Sequence, residues 1–194
     1  MLLPVATRSE TAAATRQSLL DAAGVLLDAG GPEAVTLREV GARTGVSRSA
    51  AYRHFADKDA LLTVLATNAV GQLGDTLEGL ANSGDPPERS LRAALLSLVS
   101  IGRTRPHLYH LMFTTPSGDP AASVQAADRT WELFIDIVGR VVGAEQARRY
   151  GALLLTNAHG IASFESSGHL VWDKWRVTAE ELIDMTVRLL PAAP

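Results

Sequence analysis

The sequence has 194 residues and a mass of 20.6 kDa, which suffices for one or two small domains with a buried core. It contains no cysteine, which excludes disulfides and thiolate metal sites, and its formal net charge is −3. No apolar run approaches the roughly 20 residues that span a bilayer, and the N-terminus lacks the basic and apolar segments of a signal peptide. We therefore expect a soluble cytoplasmic protein that needs no cofactor and does not enter a membrane.

Apolar residues recur at helical spacing along the chain, and no β-rich alternating segment occurs, which predicts an all-α fold. Residues 1 to about 12 show no periodicity, so we expect a frayed tail there. A first helix is predicted from Thr15 to Ala29, ended by the breaker Gly30-Gly31-Pro32. This helix should buttress the two short helices that follow it.

Residues 36–62 predict a short helix, a tight turn, a second short helix and the start of a third. Gly45 can adopt the left-handed backbone angles that such a turn requires, and Ser47 is a good N-cap for the next helix. The apolar side chains expected to close a small core between these helices are Leu37, Val40, Val46, Ala50 and Phe55. A compact helix pair with a basic outer face is suited to reading the major groove of DNA.

These residues resemble the helix-turn-helix of the TetR family of transcriptional regulators. The matching residues are Thr36-Leu37, Gly45-Val46-Ser47, Tyr52-Arg53-His54-Phe55 and Lys58, followed by Leu61-Leu62. The resemblance implies a three-helix DNA-binding domain over about residues 11–56, then a helical-bundle ligand-binding and dimerisation domain over residues 57–194. Two residues depart from the family pattern, since Ser49 stands where glycine is frequent and Ala51 where a larger aliphatic residue is usual. Ala51 is expected to reduce the core beneath the second helix of the pair, Ser47 to Phe55, which is the recognition helix of such a motif.

A local positive charge accompanies the recognition helix, although the whole chain is negative. Between Thr36 and Lys58, five basic and two acidic side chains give a net charge of +3, so the remainder carries −6. Because this patch is modest, tight binding of a double-stranded DNA operator would need a homodimer. Arg48 is expected to read a guanine edge. Tyr52, His54 and Lys58 are expected to contact phosphates, and Thr36 at a helix N-terminus is a further phosphate candidate. The candidate DNA-binding residues are Thr36, Arg43, Ser47, Arg48, Ser49, Tyr52, Arg53, His54 and Lys58.

Beyond the helix pair, the periodicity predicts five further helices and a short amphipathic turn. The first of these helices, from Asp57 to about Leu80, connects the DNA-binding domain to the rest of the chain. The others are predicted at residues 88–103, 121–142, 145–167 and 178–190, with the turn at 107–113 and loops at 82–87 and 114–120. The last two helices are expected to pack with those of a second subunit as a four-helix bundle.

The second half of the chain is similar to the ligand-binding domains of the same family that are called WHG domains. The similarity rests on residues 105–113, RPHLYHLMF, and on Asn157-Ala158-His159-Gly160 followed by Gly168, without the tryptophan that names the motif. It implies an apolar cavity for a small-molecule effector, whereas an ordinary packed aromatic core is the alternative. The candidate ligand-binding residues are His107, Tyr109, Met112, Phe113, Trp131, Phe134, His159 and Phe164.

An enzyme is not expected from this sequence. His107 and His110, joined by His159 and Glu165, are the residues that a metal site would need, but histidines without metal are the favoured interpretation. No nucleophile elbow, phosphate-binding glycine loop or dinucleotide fingerprint is present.

The sequence therefore predicts a transcriptional regulator that binds a palindromic operator and is released by an effector. In similar proteins such a regulator is most often a repressor. The alternative is a helical small-molecule binding or scaffold protein without specific DNA recognition.

Overall fold

The computed structural model describes residues 8–114 and 120–191, and within these ranges the backbone forms α-helices and no β-strand. The helices are α1 (Arg8–Ala34), α2 (Leu37–Thr44), α3 (Arg48–His54), α4 (Lys58–Ala81), α5 (Pro87–Thr104), α6 (Pro106–Met112), α7 (Pro120–Val142), α8 (Ala147–Ser166), α9 (Trp172–Trp175) and α10 (Ala179–Arg188). The predicted all-α fold class is confirmed. Within the same ranges, no helix is both long enough and apolar enough to cross a membrane.

The first helix begins earlier than the sequence predicted. It starts at Arg8 rather than Thr15, because residues 9–14, SETAAA, combine alanines of high helix propensity with an acidic residue in the first turn. The chain kinks where a breaker was predicted, at Gly30 and Gly31, and Gly31 takes a left-handed φ of 69°. Residues 1–7 of the predicted tail and residues 115–119 of the predicted loop lie outside the described ranges.

Side-chain caps fix the ends of the short helices as the sequence indicated. The Thr36 hydroxyl accepts from the backbone N–H of Glu39 at 3.1 Å, and the Ser47 hydroxyl accepts from that of Ala50 at 3.3 Å. Gly45 ends α2 with a left-handed φ of 69°. The turn between α2 and α3 therefore has the geometry of a helix-turn-helix.

Two hydrophobic cores organise the described residues. The head, α1–α3, has a core that also takes Leu61, Leu62 and Ala69 from α4 and Leu108 from α6. The body, α5–α10, has a second core that includes Leu73 and Leu77 of α4. The connector α4 is therefore buried in both cores, its first half in the head and its second half in the body.

The second half of α4 is held closely against α7. The Thr130 hydroxyl, fully buried, donates to the carbonyl oxygen of Val70 at 3.0 Å. Arg129 of α7 pairs with Asp75 at 2.9 Å and with Glu78 at 2.7 Å. Gly74 allows this approach, because a Cβ added there would lie 2.7 Å from the Thr130 hydroxyl oxygen.

Ion pairs attach α10 to the body. Arg103 of α5 bridges Glu165 of α8 and Glu180 of α10, at 2.8 Å to each, and Arg92 of α5 pairs with Asp184 of α10. Hydrogen bonds from its own backbone N–H and from Arg103 lower the pKa of Glu180, and a hydrogen bond from Arg92 lowers the pKa of Asp184. Both carboxylates are therefore held in the charged form.

Two glycines of α4 provide a matched test of the contact with α7. We expect Gly74→Ala to destabilise the protein by about 1–3 kcal/mol, because the new methyl group overlaps Thr130. Gly71→Ala should stabilise it by roughly 0.5–1 kcal/mol through helix propensity, because a Cβ there meets nothing within 4 Å. Urea denaturation measures both changes, and effects of the same sign would contradict the packing described.

The ion pairs of α10 predict an acid-sensitive attachment. In the folded protein, the pKa values of the two carboxyl groups lie below their ordinary values of 4.5 for Glu180 and 3.8 for Asp184. The stabilisation that the ion pairs give is therefore complete above the ordinary pKa values. It is lost as the pH falls through the folded-state pKa values. A double variant, Glu180→Gln with Asp184→Asn, should melt at lower temperature at neutral pH and should lose less stability on acidification. Thermal melting as a function of pH tests this, and parallel pH profiles for the two proteins would contradict it.

Candidate DNA-binding face and ligand cavity

The predicted DNA-binding side chains lie mainly on the exposed side of α2 and α3. On α3, positions 48, 49, 52 and 53 fall within one side of the helix, while Ala51 on the other side is buried. His54 and Lys58 are half-buried. The exposed members of the predicted set are Thr36, Arg43, Ser47, Arg48, Ser49, Tyr52 and Arg53.

Contacts within this face orient several of its polar groups. The Arg48 guanidinium lies over the Tyr52 ring, 5.6 Å from its centroid, which restricts the side chain before any ligand arrives. The hydroxyls of Ser47 and Ser49 are 3.2 Å apart. The donor fork of Arg48 is thus combined on this face with two hydroxyls, and such groups recognise guanine edges and phosphates.

Two predicted residues already have partners in the fold. The Thr36 hydroxyl is the cap of α2, and the Lys58 ammonium lies 3.5 Å from the Glu33 carboxylate. Glu33 is 93% exposed, and exposed pairs of this kind contribute about 0–1 kcal/mol. A phosphate can therefore replace Glu33 as the partner of Lys58 at small energetic cost.

Sequence reasoning missed one basic residue beside the recognition helix. Arg16 of α1 is exposed, and its guanidinium lies over the ring of Phe55, 5.0 Å from the centroid. The guanidinium of Arg16 thus lies beside the C-terminal end of α3, although it belongs to a different helix. Its position on the polar side of the first helix was visible in the sequence, but its spatial neighbour was not.

The structure corrects the expectation for Ala51 and for part of the small core. Leu37, Val40 and Phe55 are buried as predicted, whereas Val46 and Ala50 are only half-buried, and Ala51 is completely buried. The small residue fits because α2 comes close to it, since a Cβ added at Gly41 would lie 3.8 Å from the Ala51 Cβ. Ala51 therefore does not leave the recognition helix loosely seated; it permits close helix packing.

A cavity of about 380 Å³ lies between α4, the end of α6 and the first half of α7. Its volume is within the range of small-molecule sites, and its wall is largely apolar. The lining residues are Asp59, Leu62, Thr63, Ala66, Thr67, Val70, Leu111, Met112, Phe113, Thr114, Ser123, Val124, Ala127 and Trp131.

Three of the predicted ligand-binding residues, Met112, Phe113 and Trp131, line this cavity. Tyr109 and His159 stand behind Phe113, whose ring centroid is 5.0 Å from that of Tyr109 and 4.6 Å from that of His159. The Tyr109 hydroxyl and His159 Nδ1 are 2.9 Å apart, and burial raises the pKa of Tyr109 above its ordinary value. The Tyr109 phenol thus stays protonated, and its ring packs against that of Phe113.

The other three predicted ligand-binding residues lie elsewhere. Phe134 is buried in the body core. His107 packs against the head, since a Cβ added at Gly31 would lie 3.1 Å from its imidazole. Phe164 is exposed at the end of α8, with ring contacts to His169 and Trp175. Aromatic residue type alone could not separate cavity wall, core and surface.

The wall contributed by α4 was missed by the sequence interpretation, which treated this helix as a connector only. Asp59, Thr63 and Thr67 follow one another at four-residue spacing, so they form a polar stripe on the cavity side. The Thr67 and Ser123 hydroxyls are 2.8 Å apart and join α4 to α7. That polar stripe in a leucine-rich helix was the signal available in the sequence.

The residues considered for a metal site are engaged in other contacts. His159 is next to Tyr109, Glu165 is held by Arg103, and His107 faces Gly31. Among the residues that the structure describes, no group of three or more His, Asp or Glu side chains is arranged to hold a metal ion.

Helix α6 joins the cavity to the head. Leu108 is buried in the head core, and Met112, one turn later, lines the cavity and packs against both cores. Arg105, just before α6, pairs with Asp28 of α1 at 2.9 Å. The same two helices, α4 and α6, therefore form cavity wall and contribute to the head core.

The fold defines a helix-turn-helix protein with a further helical domain, and family comparison agrees. A model of bacterial regulatory proteins of the tetR family matches residues 19–65, and a model of tetracyclin repressor-like C-terminal domains matches residues 91–190. The chain belongs to the TetR family of transcriptional regulators. The second match includes both segments that resemble WHG domains. Membership places the chain among DNA-binding regulators rather than enzymes.

Solved structures share the fold over nearly the whole chain. A protein of unknown function from a Rhodococcus species is 26% identical over 91% of this chain and 95% of its own, with a TM-score of 0.76. PfmR, a TetR family transcriptional regulator from Thermus thermophilus, is 21% identical over 89% and 98%, with a TM-score of 0.63. SmeT in complex with triclosan is 23% identical over 90% of each chain, with a TM-score of 0.57. No curated protein matches the sequence significantly.

The close approach of α2 and α3 makes a prediction about Ala51. Ala51→Leu should destabilise the protein by about 1–3 kcal/mol, because the larger side chain must push α3 away from Gly41. The control is Ala50→Leu, at the half-buried neighbouring position, where we expect a smaller change. Urea denaturation compares the two variants. A more stable Ala51→Leu protein would show that the site is an underfilled cavity instead.

Proposed function

We propose that this protein is a homodimeric repressor that binds a roughly palindromic operator and leaves it when a small molecule occupies the cavity. The observation that carries the proposal is that α4 and α6 both line the cavity and both enter the head core. A molecule in the cavity thus touches the two helices that hold the DNA-binding helices in place. SmeT, a protein of the same fold, has been solved with triclosan, which is consistent with a small-molecule effector.

The DNA-binding part of the proposal assigns the exposed face of α3 to the major groove. Arg48 supplies a bidentate donor for a guanine edge, and Tyr52, Arg53 and Lys58 supply phosphate contacts. One head carries too little positive charge to hold DNA tightly, so two heads bind successive major grooves about 34–36 Å apart.

The dimer is proposed to form through α8 and α10. These helices pack side by side, and the Thr186 hydroxyl of α10 donates to the Asn157 side-chain oxygen of α8 at 3.1 Å. Leu153 and Phe164 of α8 are exposed, and so is Leu189, which follows the last residue of α10, by 83%. Two such helices from each subunit would bury these side chains in a four-helix bundle.

Effector action requires that the ligand binds two arrangements of α4 with different affinity, because equal affinity would shift no population. In the described arrangement, Phe113 is partly exposed at the cavity, and Met112 packs against both cores. A ligand that displaces these side chains moves α6, and with it Leu108 in the head core. The operator-binding spacing of the two heads then changes.

Selection from random DNA with the full-length protein tests this function. We expect an enriched sequence with two inverted half-sites about one helical turn apart. Arg48→Ala should cost about 1–3 kcal/mol of binding free energy and relax the preference at one position of each half-site. Lys58→Ala should weaken binding uniformly and reduce its salt dependence.

The control for this experiment is Arg89→Ala. Arg89 lies in α5 of the body, is exposed and pairs with Asp85 just before that helix. Its removal changes the net charge equally but should leave the selected sequence unchanged. If the selection enriches no sequence, the proposal fails and a helical binding or scaffold protein without specific DNA recognition is supported.

A further inference from the structure

We infer that the cavity between α4, α6 and α7 selects a lipophilic cation, such as an aryl-alkyl amine that is protonated at neutral pH. The inference deepens the proposed function and rests on it, because it names the chemical class of the effector. It stands on the charges, aromatic rings and shape of the cavity wall.

The first observation is the charge of the wall. Among the described lining residues, Asp59 is the charged side chain, and the others are apolar or carry a hydroxyl. An anionic ligand would lose its hydration without gaining a cationic partner, which is unfavourable in a largely apolar site. A cationic ligand meets a carboxylate.

The second observation is that Asp59 is not used as an ion-pair partner by the described residues, unlike the other carboxylates of the same helix. Asp75 and Glu78 both pair with Arg129. Asp57 accepts a hydrogen bond from the backbone N–H of Ala60 at 2.7 Å and caps α4. Asp59 makes no ion pair within 4.0 Å in the described part of the chain, so its charge remains available to a ligand.

The third observation concerns the aromatic and hydroxyl groups of the cavity. The rings of Phe113 and Trp131, with centroids 6.4 Å apart, present apolar surface and π-faces that attract cations. The hydroxyls of Thr63 and Ser123 supply acceptors for an ammonium N–H. The π-faces favour an aromatic amine over an aromatic carboxylate, whereas a hydroxyl can serve either ligand because it both donates and accepts.

The shape of the wall sets where the charge of the ligand lies. The α4 residues on the wall run from Asp59 to Val70, a distance of about 16 Å at 1.5 Å per residue. Asp59 is at the end next to the head, whereas Trp131 is on α7 of the body. The site therefore suits an elongated molecule with its cationic group toward the head and its aromatic part toward the body.

A purely structural role for Asp59 makes a different prediction. A carboxylate in the first turn of a helix interacts favourably with the helix dipole, and this requires no ligand. In that case, replacing Asp59 would alter the stability of the fold but not the order in which ligands of different charge bind. The two roles are therefore separable by measuring ligand preference rather than stability alone.

The test uses three probes of similar size and different charge: 4-phenylbutylamine, 4-phenylbutan-1-ol and 4-phenylbutanoate. Calorimetric titration of the full-length protein at neutral pH should give the tightest binding for the amine, by about fivefold over the alcohol, and the weakest for the carboxylate. In Asp59→Asn, the preference of amine over alcohol should disappear while the affinity for the alcohol is retained.

The matched control is Asp57→Asn. It removes the same charge two residues away, outside the cavity wall, and asparagine is an equally good N-cap. This variant should keep the preference for the amine. Equal loss of preference in both variants would show general attraction to an acidic protein and would overturn the inference.

The remaining outcomes separate this inference from the proposed function. Equal or tighter binding of the carboxylate would refute the cation class while leaving an effector cavity in place. Binding of none of the three probes would contradict the cavity as a ligand site and so both proposals. Operator selection without any probe tests the DNA-binding part independently, so its failure is distinguishable from failure here.

Discussion

The constraint on which this structure depends is the burial of one helix in two cores. Leu61 and Leu62 at the start of α4 are packed beneath the DNA-binding helices, while Leu73 and Leu77 further along are packed in the body. Burial of a leucine side chain contributes about 1.5–3 kcal/mol, so neither end can leave its core cheaply. Movement of α4 therefore has to be a concerted movement of head and body, and a ligand placed between the two ends acts on both.

Helix α6 adds a second connection of a different kind. Its contacts with the head are made by Leu108 in the core, by His107 against Gly31 and by the nearby pair of Arg105 and Asp28. The ion pair is partly exposed and contributes little, whereas the buried leucine is costly to remove. The strength of the connection thus comes from apolar packing, and the polar contacts fix its orientation.

Much of the fold could be predicted from the sequence because local signals determine it. The caps at Thr36 and Ser47 and the glycine turn at Gly45 each act within a few residues, and the structure contains all three. Burial in α3 was harder, since neighbouring positions on a helix differ by 100° and the choice between Ala50 and Ala51 depends on how closely α2 approaches. That approach is a tertiary property, which no local pattern specifies.

In the candidate sites, too, the sequence predicted what depends on local pattern and residue type but not what depends on tertiary contacts. Exposure of the recognition-helix arginines followed from helical periodicity, and Met112, Phe113 and Trp131 followed from residue type together with family resemblance. The part of the cavity wall that α4 forms was not predicted, because leucines dominate the pattern of this helix. The polar stripe of Asp59, Thr63 and Thr67 is inconspicuous among them. Likewise, the contact of Arg16 with Phe55 joins residues distant in sequence, so periodicity could not reveal it.

The tight contact between Gly74 and Thr130 is a point about which α4 can pivot. Thr67, on the cavity wall, lies seven residues from Gly74, or about 10 Å, and Lys58, beside the head, lies sixteen residues away, or about 24 Å. If α4 tilts as a rigid rod about this point, the ratio of the two displacements is roughly 2.3. A displacement of about 1 Å at the cavity then becomes more than about 2 Å at the head.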